Sequence, residues 1–80
     1  MLQADLNAHD YHVARAVTLA SARFGKVNSV RVHRKPAPFA LIEMADPAHA
    51  FELAAEFGGS MFGNSVLIHL AHRDVRRMAA

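Results

Sequence analysis

Apolar residues recur along the chain in two rhythms, one near 3.6 and one of two. From about His9 to Arg23, and on to Phe24, the positions Val13, Val17, Ala20 and Phe24 fall at i, i+4, i+7 and i+11, the stripe of an amphipathic helix. Asn7 or Asp10 can cap its start, and Gly25 stands where a left-handed residue would close it. A second helix is predicted from about Pro47 to Phe57. Asp46 precedes it as an N-cap, Pro47 suits the first helical position, and Gly58-Gly59 stop it. Ala50, Leu53, Ala54 and Phe57 form its apolar face.

Between and after the helices the period changes to two. Residues 27–33 place Val30 and Val32 on one side of a strand, with Ser29, Arg31 and His33 on the other. Residues 39–44 set Ala40, Ile42 and Met44 against Phe39, Leu41 and Glu43. Residues 65–70 set Val66, Ile68 and Leu70 against Leu67 and His69. Pro36 and Pro38 forbid a regular ladder in the connector at residues 34–38. At the start, Leu2, Ala4 and Leu6 alternate with Gln3 and Asp5 as a short strand would, in a run without β-branched residues.

The order is therefore βαββαβ. Two amphipathic helices and a sheet apolar on one face bury themselves as two layers, with both helices on one side. The expected fold is α+β, a ferredoxin-like sandwich with a four-stranded antiparallel sheet. One domain is expected over residues 1–71, followed by a basic tail at 72–80.

Composition narrows the function classes. Eighty residues hold one core, and 52% hydrophobic with 20% charged residues is a globular composition, not a disordered one. The absence of cysteine excludes disulfides, thiolate metal sites and cysteine nucleophiles. No apolar run approaches the ~20 residues of a membrane helix, and no basic-then-apolar leader opens the chain. No membrane partner and a cytoplasmic location are the expectation. The formal net charge is only +2, so distribution matters more than total. Lys26, Arg31, Arg34 and Lys35 crowd one stretch, and Arg73, Arg76 and Arg77 crowd the tail. Six histidines can add six further charges on mild acidification, which would strengthen any polyanion binding.

Four segments resemble the RNA recognition motif family over roughly residues 9–71. Phe24-Gly25-Lys26-Val27-Asn28-Ser29-Val30-Arg31-Val32 is similar to the passage from the first helix into the second strand. Phe39-Ala40-Leu41-Ile42-Glu43-Met44 resembles the last six positions of the RNP1 octamer. Asp46 to Gly59 resembles the second helix, and Gly63-Asn64-Ser65-Val66 the approach to the last strand. The resemblance implies a strand order that places the first strand in the middle of the sheet, and single-stranded RNA bound on the open sheet face. Phe39 matches the first RNP1 aromatic, whereas Leu41 replaces the second and Ala37 stands at the basic position. No aromatic lies in residues 1–8, so RNP2 has no ring, and Gln3 is the nearest occupant of its place. A base stacked on a ring contributes about 1–3 kcal/mol, so two missing rings cost about 2–6 kcal/mol of binding.

On this basis Phe39 is the candidate base-stacking residue, with Leu41 and Leu67 as apolar floor and Gln3 beside them. Arg31, His33, Arg34 and Lys35 form a candidate phosphate edge, His69 adds an imidazole, and Arg73, Arg76 and Arg77 add electrostatic grip. The alternative is a protein-interaction module that has lost RNA binding. An aliphatic open face favours protein contact, and Leu19 and Phe51, off the helix stripes, could form a partner patch or a homodimer contact.

His9/His12 and His69/His72 are spaced His-x-x-His, but the second pair straddles a strand end, where i and i+3 diverge. No metal site and no cofactor are expected. Ser21, Ser29, Ser60 and Ser65 stand in no nucleophile motif, and Glu43, Glu52 and Glu56 form no acid pair. The chain is not expected to be an enzyme.

Overall fold

Residues 1–73 are described by a computed structural model. Among them seven elements follow in order: β1 (Leu2–Ala4), α1 (Asp10–Ser21), β2 (Val27–His33), β3 (Phe39–Met44), α2 (Pro47–Phe57), β4 (Ser60–Phe62) and β5 (Ser65–His72). Both helices and the three longer strands stand where the hydrophobic rhythm predicts them. The last strand runs two residues further than expected, and β4 is an addition.

The second helix carries the stop and start signals of its sequence. Asp46 Oδ1 accepts from the Ala48 N–H at 2.8 Å, Pro47 occupies the first turn, and Gly58 closes the helix with φ of 65°. The N–H groups of Gly58 and Gly59 both return to Ala54 O, the latter at 2.8 Å, which ties the turn to the helix end.

The first helix departs from expectation at both ends. Its N-cap is His9, with no side-chain cap bond, because Asp10 lies inside the first turn and Asp5 takes the Asn7 N–H at 3.1 Å. The helix closes at Ala22 in ordinary right-handed geometry, not at Gly25. Gly25 has another task. Its φ is +154°, and a Cβ there would fall 2.2 Å from His49 Nδ1. Only glycine lets the connector between α1 and β2 meet the first turn of α2 this closely.

The sheet has five strands in the order β1-β5-β3-β2, with β4 paired to β5 outside that path. The β1–β5 pair is parallel and the other pairs are antiparallel. This corrects the expected four-stranded antiparallel sheet with the first strand at its centre. The reason is length. A three-residue strand cannot fill the ladder of six- and eight-residue neighbours, so β5 takes the central place. Its inner edge pairs with β3 from Phe39↔His69 to Glu43↔Ser65. Its outer edge pairs with β4 through Ser65–Leu67 and with β1 through Leu70–His72.

Alternation assigns the faces. Ala40, Ile42 and Met44 of β3 join Val66, Ile68 and Leu70 of β5 and Leu2 and Ala4 of β1 under the helices. Val13 and Val17 of α1 and Ala50, Leu53 and Ala54 of α2 complete one apolar cluster. The polar Ser21 is also fully buried, and its hydroxyl donates to Val17 O at 2.8 Å, so burial leaves nothing unpaired there. The opposite sheet face carries the odd-numbered side chains of β3 and β5.

Candidate nucleic-acid interface

Register builds this open face in three rows, because paired residues of neighbouring strands point to the same side. The first row is His33–Phe39–His69, running from β2 across β3 to β5. The second is Arg31–Leu41–Leu67 and the third Ser29–Glu43–Ser65. Phe39, Leu41 and Leu67 are half-buried, whereas Arg31, His33 and His69 are exposed. Two of the predicted sets, the aromatic-aliphatic floor and part of the cationic fringe, are therefore adjacent.

Phe39 is not a bare ring. The His33 imidazole stacks on it with centroids 4.7 Å apart and planes 14° from parallel. That separation matches the spacing of neighbouring strands, so the rings meet face to face across the β2–β3 pair. A planar group can then add to the outer face of either ring, but not between them.

At the far end of the face the chemistry changes sign. Ser29, Arg31, Leu41, Glu43 and Ser65 line a shallow hollow of ≈ 110 Å³. Glu43 accepts from Asn28 Nδ2 at 3.3 Å and places a carboxylate beside Arg31. The cationic character of the face is thereby left to the exposed Lys35 in the following connector, with His33 and His69 adding exposed imidazoles.

Arg34 has a different occupation. Its Nε donates to Asp10 Oδ1 at 2.9 Å, its Nη2 to Ala8 O at 2.9 Å, and its Nη1 to Leu6 O. The guanidinium ties the end of β2 to the loop between β1 and α1, so its donors face the chain itself. Gln3 also lies apart from Phe39. It is exposed on β1 opposite Ala71, with β5 standing between it and β3. Arg73 is exposed, and its backbone N–H donates to Ala4 O at 2.8 Å. Arg76 and Arg77 lie outside the described residues.

One aromatic of this face escaped the sequence reading. Phe62 in β4 pairs with Ser65, shares its side of the sheet, and is 61% exposed. It closes the third row as Ser29–Glu43–Ser65–Phe62. The signal was present in Ser60-Met61-Phe62-Gly63-Asn64-Ser65, where Gly-Asn separates two alternating runs as in a two-residue hairpin. Gly63 has φ of 65° at the first turn position, and Asn64 Nδ2 anchors the turn to Met44 O at 2.6 Å.

The helix-side candidates are also in view. Leu19 and Phe51 are 61% and 64% exposed, as their positions off the helix stripes suggested. Among the histidines, His72 Nδ1 accepts from the Leu6 N–H at 3.1 Å, and the Tyr11 and His12 rings meet edge to face. Among the described residues no three His, Asp or Glu side chains come together as a metal-holding group. No described helix is long and apolar enough to cross a membrane.

Comparison with known proteins finds no matching family model, no similar curated protein and no similar solved structure.

Proposed function

We propose that the protein is an RNA-recognition-motif-like domain of ferredoxin-like layout that binds single-stranded RNA weakly through the open sheet face. The observation that carries this reading is the His33–Phe39–His69 row on a face left clear of both helices. A base stacks on the outer face of the His33–Phe39 pair, and Leu41 and Leu67 form the apolar floor beside it. Arg31, His69 and Lys35 hold phosphates, and Phe62 offers a second ring at the opposite corner. Arg34 is left out of the contact set because its donors serve the fold. No bond is made or broken, so the activity is binding and not catalysis.

Fluorescence anisotropy of mixed single-stranded oligoribonucleotides across a salt series tests the reading. The two charged phosphate contacts, Arg31 and Lys35, give a log–log slope of about −1.4. Phe39→Ala weakens binding roughly 5- to 150-fold, the equivalent of one lost stacking contact. Binding that is absent at low salt and mildly acidic pH, or that Phe39→Ala leaves unchanged, overturns it.

A further inference from the structure

The helix layer carries two exposed patches of opposite charge that fit each other. Arg15 on α1 and Arg23 and Lys26 just beyond it are exposed, and the one acid within residues 10–35, Asp10, is paired with Arg34. The second helix and its cap reverse the balance, with Asp46, Glu52 and Glu56 and no Lys or Arg in residues 46–57. Among the described residues no ion pair joins these two regions, so each charge set faces outward without a partner from the other.

Each region also presents an apolar shape. Between α1 and the edge strand β2 lies a groove of ≈ 360 Å³ lined by Tyr11, Ala14, Arg15, Thr18, Leu19 and Val30. The Thr18 hydroxyl in its lining already donates to Ala14 O at 2.7 Å, so burying that side chain orphans no donor. On α2, Phe51 projects with 64% of its surface exposed. Ala48 and Ala55, at i−3 and i+4, share its helical face and leave the ring standing clear. Glu52 and Glu56 form the next stripe, also exposed.

We infer that the groove between α1 and β2 receives the α2 face of a second copy of this chain, with Phe51 seated in the groove and Glu52 facing Arg15. Both halves of the contact are present on one molecule: an aromatic knob beside the carboxylates of Glu52 and Glu56, and an apolar groove with the Arg15 guanidinium in its wall. A buried aromatic ringed by complementary charge is the arrangement that concentrates binding energy at interfaces. Knob and groove are different surfaces, so the contact is made twice about a two-fold axis or repeats head to tail. The inference is independent of RNA binding, since it uses the helix layer and leaves the open sheet face free.

Sedimentation velocity of the whole chain over a concentration series is the test. The wild-type chain self-associates, and Phe51→Ala, Arg15→Glu and Glu52→Arg each weaken the association roughly 10-fold or more. The Arg15→Glu/Glu52→Arg double variant regains it, because the reversed pair again attracts. Thermal melts of the three single variants match the wild type, since the residues are exposed. Added salt weakens the wild-type association without any substitution. A strict monomer, a double variant that stays monomeric, or an association indifferent to salt and to all three changes overturns the inference. A monomer that captures an added Glu-rich helical peptide bearing one Phe also overturns it, and gives the groove to a foreign chain.

Discussion

Leu41 and Ile42 are consecutive in β3, yet they belong to two different surfaces. Ile42 is fully buried among the helices, whereas Leu41 is half-buried on the open face between Arg31 and Leu67. The covered face is apolar from end to end: Ala40, Ile42, Met44, Val66 and Ile68 have no exposure at all. The open face is apolar only along its middle, with a stacked ring pair at one end and a carboxylate at the other. One backbone thus separates two tasks. The covered face supplies cohesion, and the open face is free to vary its chemistry because little of the fold's stability rests on it.

The sharpest way to break this comparison is to truncate each neighbour in turn. Ile42→Ala leaves a cavity in a packed core and destabilises the domain by about 2–5 kcal/mol in chemical denaturation. In a domain of this size that is a large share of the total stability, and extensive unfolding at 37 °C is the expected result. A smaller effect separates Arg31 within β2 from Arg34 just beyond it. Arg34→Ala costs about 1.5–3 kcal/mol, chiefly through its bonds to the Leu6 and Ala8 carbonyls. The ion pair with the largely exposed Asp10 adds little to this. Arg31→Ala, by contrast, stays within about 0.5 kcal/mol of wild type in the same denaturation experiment. The smallest change but one belongs to Leu41→Ala, at about 0.2–1 kcal/mol from lost cross-strand contact. Equal losses for Leu41→Ala and Ile42→Ala would mean that the open face is covered and that the division of tasks does not hold.

Much of this arrangement is legible in the chain. The alternation of residues 39–44 and 65–70 assigns core and open faces correctly because helices cover only one side of the sheet, and period two then maps directly onto burial. Asp46, Pro47 and Gly58 fix α2 because their signals are local: a carboxylate reaching back to an N–H, a ring that suits the first turn, and a left-handed stop. Strand order was not legible. Nothing local in Leu2-Gln3-Ala4 says which neighbour it will join, and that choice is set by competition among strands of unequal length. The destination of Arg34 was hidden for a similar reason. Its partners, Leu6, Ala8 and Asp10, lie more than twenty residues away, and a basic residue beside Lys35 reads as surface charge until that loop is seen to fold onto it. Phe62 was legible in principle, but its strand is only three residues long and reads as part of the approach to the last strand.

The parallel pairing of Leu2–Ala4 with Leu70–His72 sets a timetable as well as a shape. On the ribosome the first strand is made early and must wait, unpaired, until its partner has been translated and has left the exit tunnel. At roughly 5–20 residues per second that delay lasts seconds, long compared with the microseconds in which helices and hairpins form. The β2–β3 hairpin and both helices can therefore organise while the nascent segment around Leu2 is still searching. Docking of that segment follows the emergence of Leu70–His72, and it closes the part of the outer edge of β5 that β4 leaves unpaired.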